Sequence, residues 1–365
     1  MLERFKVPQA DQVRVPEGSL RATVTALLEK MGAPHEEAEE AADVLVMTDL
    51  RGVETHGVSN MVRVYVKQYN EGLLNPRPVL RTLRETPVAA TLDGDGGLGI
   101  AQGRRAMEMA ITKARNVGVG VVVMLNSGHL GAVGHFAMLA AEQDMVGVCM
   151  TAGGSLILPT FGAEGRLGAN PISFAAPAGK EPPVLFDVAT STVALNKLGL
   201  ARRVGADLLP GWIADGEGTP ILEETPVPEM GEFFGLPLGG TREQGSHKGY
   251  GFAMMVEIMG SLLSGSVPSM LDEKPWESQF KHHFAAYDIA AFTDLDRFKR
   301  DMDRMLQLLK NTKPAPGQGP VLYPGLSEYE EERERRANGI PLHKEVIQWF
   351  HDIAEELSIP ALKTM

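Results

Sequence analysis

"VAATLDGDGGLGIAQGRRAMEMAI", residues 88–111, holds the decision between two kinds of α/β fold. An apolar, strand-like run leads into Gly94, Gly96 and Gly99, spaced G-x-G-x-x-G, and a helical pattern follows. In a Rossmann turn the same order lays a pyrophosphate on a helix N-terminus. That fold also requires an acid about 20 residues further on, where the next strand ends, to hold the ribose hydroxyls. The next apolar run here, "VGVVVML", ends in Asn126-Ser127-Gly128. With no acid in place, the glycines read as a tight turn. A calcium loop through Asp93 and Asp95 fails as well, because Arg105 stands where the bidentate glutamate belongs.

Outward from this stretch, from about residue 85, apolar runs alternate with glycine turns and helical patterns: "VAATL", "VGVVVML", "VGVCMT", "ISFAAP" and "PVLFDV". Helical stretches at 101–116, 131–144 and 249–263 separate or follow them. The alternation predicts an α/β unit over residues 85–299 with largely buried strands. Residues 1–84 read as helical. Leu20, Val24, Leu27, Leu28 and Met31 form one stripe, a second helix opens with acids in its first turn, and a third ends near Gly72. Residues 300–365 carry three more helical patterns.

At 44% hydrophobic and 22% charged residues, the chain reads as a soluble globular protein. A net charge of −12 argues against nucleic acid or an anionic membrane as partner. No apolar run is long enough to span a bilayer, and the first residues lack the apolar core of a secretory signal. One cysteine, Cys149, excludes an internal disulfide. Together these features predict a cytoplasmic protein. No metal site is expected, since H-E-x-x-H is absent and His282-His283 has no companion pair.

Four segments carry candidate chemistry. "DLRGVETHGVSN" surrounds His56 with Arg51, Thr55 and Asn60, and Arg63 follows two helical turns beyond. "NSGHLGAVGHFA" sets His129 at the junction of a strand and a helix, where α/β proteins bind ligands. "PVLFDVATST" ends an apolar strand in Asp187, which either caps a turn or orients a histidine. "GSHKGYGFAMMVEIMG" places Lys248, Gly249, Tyr250 and Gly251 at a helix start able to hold phosphate. Taken singly, each has an ordinary structural reading.

In this order, and with "LGANPISFAAP", "PGWIADGEGTP" and a C-terminal "YPG…R…GIPL", the chain resembles the malate/L-lactate/L-sulfolactate/ureidoglycolate dehydrogenase family along nearly its whole length. The resemblance implies NAD or NADP as cofactor and a mixed-sheet, non-Rossmann cofactor-binding domain over 85–299. It also implies a mainly helical substrate and dimerisation domain built from 1–84 and 300–365, and a homodimer. The reaction would be hydride transfer at C2 of a small 2-hydroxy or 2-oxo acid, or at the C=N bond of a cyclic imino acid. His56 is favoured as proton carrier, with Thr55 supplying a hydroxyl, Asp187 orienting the site, and His129 touching substrate or nicotinamide. Gly168, Asn170, Pro171, Thr190, Ser191, Trp212, Asp215 and Lys248–Gly251 would hold the cofactor. The family usually has arginine where this chain has Asn60, so Arg51 or Arg63 is the replacement expected to grip the substrate carboxylate. A catalytically silent homologue, and a hydrolase or lyase working without nicotinamide, are the competing readings.

Overall fold

The structure, a computed structural model, describes residues 3–272 and 280–365. Its first elements are β1 (Gln12–Val15), α1 (Glu17–Lys30), α2 (His35–Leu50) and α3 (Val58–Asn70). Next come β2 (Arg81–Glu85), β3 (Ala89–Gly97), α4 (Gly99–Val117), β4 (Val119–Ser127) and α5 (Gly134–Ala141). They are followed by β5 (Met145–Ala152), β6 (Ile172–Ala176), β7 (Val184–Val188) and α6 (Asn196–Val204). After β8 (Ile213–Asp215) and β9 (Phe233–Gly235) come α7 (Ser246–Val256) and β10 (Phe280–Asp288). The chain closes with α8 (Leu295–Lys310), α9 (Leu326–Asn338), β11 (Ile340–His343) and α10 (Lys344–Leu357).

A seven-stranded mixed sheet runs in the order β2-β3-β4-β10-β5-β6-β7. Within it β3 and β4 are parallel, joined by α4, and the other neighbouring pairs are antiparallel. The glycine-rich stretch thus opens a genuine βαβ crossover, but its own chain fills the turn. A Cβ on Gly99 would lie 2.3 Å from the Gly128 carbonyl, and one on Gly94 2.9 Å from the Asn126 carbonyl. The Gly94 carbonyl accepts from Gln102 Nε2, while Asp95 Oδ2 takes the Asn75 amide and the Val79 N–H. These glycines serve close backbone packing, and the space a pyrophosphate would need is occupied.

The central strand, β10, escaped the sequence reading. "FKHHFAAYD" carries three basic residues directly after its first, which break the apolar pattern expected of a buried strand. Lys281, His282 and His283 are nonetheless buried, at 3%, 0% and 4% exposure. His282 survives there because both ring nitrogens are matched, Nδ1 with Thr151 Oγ1 at 2.7 Å and Nε2 with the Gly128 carbonyl at 3.2 Å. A buried polar ring costs little once its hydrogen bonds are satisfied.

α4 and α5 cover one face of the sheet, and α7 with the π-helical turn Glu257–Leu262 lies on the other. β1 pairs with β11, tying the start of the chain to its end, and α1, α2, α3 and α10 share one continuous apolar core with α4 and α5. A separate small core gathers Phe5, Val193, Leu198, Leu208, Trp212 and Phe233 around α6. α8 packs through Met302 and Leu306 against Val184 and Tyr323. No helix of the described residues is long and apolar enough to cross a membrane.

Burial holds His282 neutral, lowering its pKa from 6.5 to about 3. The unfolded chain therefore binds a proton there between pH 6.5 and 3 that the folded chain refuses. This share of stability is complete above pH 6.5 and is lost as pH falls toward 3. Urea unfolding at pH 7 and pH 5 is expected to show a smaller acid loss in His282→Gln than in the parent, by up to about 1.4 kcal/mol per pH unit. Equal pH slopes would place the titration elsewhere.

Candidate active site

The site is built on a short turn between α2 and α3. α2 ends at Leu50, and Gly57 stands as N-cap of α3. Gly57 carries no capping side chain, so the exposed N–H of Val58 takes its acceptor from Asp49 Oδ2, 2.7 Å away and fully buried. The carboxylate lies so close that a Cβ on residue 57 would sit 1.9 Å from Asp49 Oδ1. Burial pushes the Asp49 carboxyl up to about 7. Between these anchors the turn presents Thr55 and His56, with Thr55 Oγ1 2.9 Å from His56 Nδ1.

His129 approaches from the loop after β4. Its ring stacks on that of His56 with centroids 5.7 Å apart and planes 16° from parallel, and Phe280 abuts it edge-on. Tyr65, fully buried on α3, brings its hydroxyl 2.8 Å from His129 Nδ1, and the Gly131 N–H donates to the same nitrogen at 3.2 Å. A backbone N–H can only donate, so Nδ1 is the acceptor and the neutral ring carries its hydrogen on Nε2. His56 is held differently, because the Thr55 hydroxyl can donate or accept and leaves either tautomer open. Burial lowers the pKa of His56 to about 4, and burial with the neighbouring His56 and His282 lowers that of His129 to about 3. Both rings are neutral at pH 7.

A cleft of about 900 Å³ joins these groups. Thr55, His56, Asn60, Arg51, His129, Gly168, Asn170, Pro171 and Asp187 all border it. Asp187 faces the open cleft, and one of its oxygens accepts the Gly134 N–H at 2.7 Å at the start of α5. The surrounding protein raises its pKa. Among the described residues no hydrogen bond joins Asp187 to either histidine. The hydrogen bonds that hold the rings come from Thr55 for His56, and from Tyr65 and Gly131 for His129.

Of the expected carboxylate grips, Arg63 turns away, pairing with Glu345 and lying 5.1 Å over the Trp349 ring. Arg51 borders the cleft and pairs with Glu332 at 3.1 Å. Asn60 ties α3 to α6: its amide donates to the Asn196 carbonyl at 3.0 Å and its oxygen accepts from Arg203 at 3.1 Å.

The expected cofactor residues divide. Gly168, Asn170 and Pro171 form cleft wall, but the Asn170 amide is spent internally on the Gly153 N–H, the Ala253 carbonyl and Glu257. Thr190 and Ser191 brace the wall from behind through the Ala169 and Val193 carbonyls. The other six lie outside the cleft wall of this chain. Trp212 stacks on Phe5, and Asp215 caps its hairpin through the N–H groups of Glu217 and Thr219. Lys248, Gly249, Tyr250 and Gly251 belong to the first turns of α7, with Gly249 pressed on Leu238 and Tyr250 packed against the Ile157–Leu167–Ala253 cluster. Missed altogether were Tyr65, which reads as one more apolar position of α3, and Phe280, at the start of the unread strand.

Tyr65→Phe is expected to lower kcat about three- to tenfold, the worth of one hydrogen bond, while leaving cofactor affinity unchanged. Steady-state kinetics beside a fluorescence titration would check this. An unchanged kcat would remove Tyr65 from the site's working geometry.

Comparison with known proteins bears on this arrangement. A family model described as malate/L-lactate dehydrogenase matches residues 15–351. A malate dehydrogenase of Pyrococcus horikoshii is 39% identical over 365 residues, covering 99% of this chain and all of its own. A solved structure of the malate dehydrogenase from that organism superposes with a TM-score of 0.89 at 36% identity, covering 98% of this chain and 99% of that one. An L-sulfolactate dehydrogenase of Methanocaldococcus jannaschii is 35% identical over 336 residues, 91% of this chain and 94% of that protein. A Δ1-piperideine-2-carboxylate reductase from Pseudomonas syringae, at 23% identity and a TM-score of 0.80 over 94% of this chain and 99% of its own, shares the fold.

Proposed function

The chain belongs to the malate/L-lactate dehydrogenase family, and from that premise we propose that it transfers hydride between a nicotinamide cofactor and C2 of a small 2-hydroxy or 2-oxo acid. The observation that carries this reading is the stacked pair of neutral histidines in the cleft, one with its tautomer fixed. The cleft suits a dinucleotide. It lies at the upper end of the size range of small-molecule sites, and Gly153, Gly154 and Gly168 in its wall expose backbone to close approach.

When bound, the nicotinamide accepts or supplies the hydride at C2. In the oxidising direction His56 takes the hydroxyl proton at Nε2 while its Nδ1–H donates to Thr55 Oγ1. His129 is assigned the other role, because with Nδ1 accepting the Gly131 N–H its Nε2 bears the hydrogen. It donates Nε2–H to the substrate oxygen instead, stabilising charge as it develops there. In reduction both steps reverse. Arg51, on the same turn as His56, is the candidate for the substrate carboxylate.

NAD is the proposed cofactor over NADP. Five carboxylates border the cleft (Asp43, Glu142, Asp187, Glu328 and Glu332) against three guanidiniums (Arg51, Arg104 and Arg202). Arg51 and Arg104 are already paired, with Glu332 and Asp43. Such a wall favours ribose hydroxyls and repels a 2′-phosphate.

The working unit is proposed to be a homodimer in the cytoplasm, with residues 1–84 and 300–365 forming the substrate unit and 85–299 the cofactor unit. Support for self-association comes from an apolar face left open on α7 and its π-helical continuation, where Phe252, Ile258, Leu262 and Leu263 are 48–54% exposed. On the same side of the sheet Phe174 and Phe186, directly paired across β6 and β7, are also exposed. A contiguous apolar patch of this kind marks an interaction surface.

His56→Ala is expected to lower kcat by about 10²–10⁴ with cofactor affinity nearly intact. Unchanged turnover would exclude it as proton carrier. Assays of 2-oxo acids against cyclic imino acids, with NADH and NADPH in turn, test both halves of the specificity; a preference for imino acids or for NADPH would overturn the corresponding half. Ile258→Glu is expected to shift the sedimentation coefficient from dimer to monomer.

A further inference from the structure

We propose that Arg335 is a positioning residue of the reaction, a single buried fork that sets the turn carrying His56 from the opposite end of the chain. This rests on the assignment of His56 to proton transfer. Arg335 lies on α9 with its side chain 4% exposed. Its Nη1 donates to the Asp49 carbonyl at 2.7 Å, at the end of α2. Nη2 donates to Glu54 Oε1 at 2.6 Å, two residues before His56. Nε is taken up by Glu331 on its own helix at 3.1 Å, which leaves the guanidinium one orientation.

The fork therefore spans the turn, fixing its entry through a main-chain oxygen and its middle through a carboxylate. Asp49 fixes the exit, through the N–H of Val58. Contact between α9 and the turn is direct: Gly52, at φ +74°, has its Cα side facing Glu331 Cγ and Arg335 Nη2. Internal bonds from Val53 N–H to the Thr48 carbonyl and from His56 N–H to the Val53 carbonyl complete the turn. With entry, middle and exit held, the His56 ring has little freedom to leave its stack on His129. The chemistry requires a planar, bidentate cation. Lysine keeps the charge but reaches the two acceptors only as a point donor.

Arg335→Lys is the test. The expected result is a fall in kcat of about tenfold or more, since small misplacements of a reacting group are costly, with KM for the cofactor and its fluorescence-measured affinity unchanged. Glu54→Gln should give a loss of similar size, and the double variant a loss no larger than the worse single one, because both break one fork. Lys113→Met, which removes a buried lysine and its ion pair with the exposed Glu85 between α4 and β2, is the control for lost stability alone. It should lower Tm while leaving kcat within twofold.

A kcat within twofold of the parent in Arg335→Lys overturns the inference. So does a loss in that variant that is shared by cofactor affinity, or additive losses for Glu54→Gln and Arg335→Lys. The two readings fail separately. An active His56→Ala removes the assignment of the base, whereas an inactive His56→Ala beside a fully active Arg335→Lys removes the fork alone.

Discussion

A carboxylate buried under the first turn of α3 governs the geometry of this protein's working face. Asp49 is wholly enclosed by protein, accepts the otherwise unpartnered N–H of Val58, and leaves room at residue 57 for nothing larger than glycine. The Gly57 position in "THG" thus answers a demand made by a residue eight positions earlier. Once that contact is made, His56 can follow only one path out of α2, and Thr55 lies where it can hold the ring. A buried carboxyl is costly to keep, and burial, only partly offset by the Val58 N–H, pushes its pKa up to about 7.

Electrostatics in the cleft follow from the same economy of water. Two imidazoles stacked at 5.7 Å in a low-dielectric wall cannot both carry charge, and burial keeps each neutral in the resting protein. Chemistry is then possible because the two rings differ in what holds their Nδ1 atoms. A main-chain N–H fixes one and a rotatable hydroxyl leaves the other free, so the two rings of a symmetric-looking pair are not equivalent.

Much of this was legible in the residues. The missing acid after "VGVVVML" separated the fold from a Rossmann sheet, and the sheet is indeed mixed. His56, His129, Thr55 and Asp187 were each visible as chemistry-bearing residues at turns or strand ends, and they border one cleft. What escaped was whatever depends on distant segments meeting. Lys281-His282-His283 breaks the apolar pattern of a buried strand, and the partners that make burial tolerable, Thr151 and the Gly128 carbonyl, lie more than a hundred residues away. Tyr65 looked like core because its ring is core, and only its hydroxyl reaches His129. Arg335 lay in a charge run that reads as solvated surface, although one of its arginines is almost wholly enclosed. Trp212 shows a long-range partner of another kind. Its motif suggested a cofactor contact, and in the fold its ring stacks on Phe5 from the N-terminus.

The position of β10 has a consequence for how the molecule comes into being. β4 and β5 are made early, yet in the finished sheet they are not neighbours, and each leaves an edge for a strand that leaves the ribosome much later. Until that strand arrives, two apolar edges stand side by side with every incentive to pair with each other or with another chain. Closure of the sheet is a long-range event, of the kind that folds slowly and all together. A chain halted before residue 280 would hold most of the cleft's residues on two half-sheets, β2-β3-β4 and β5-β6-β7, with nothing to join them.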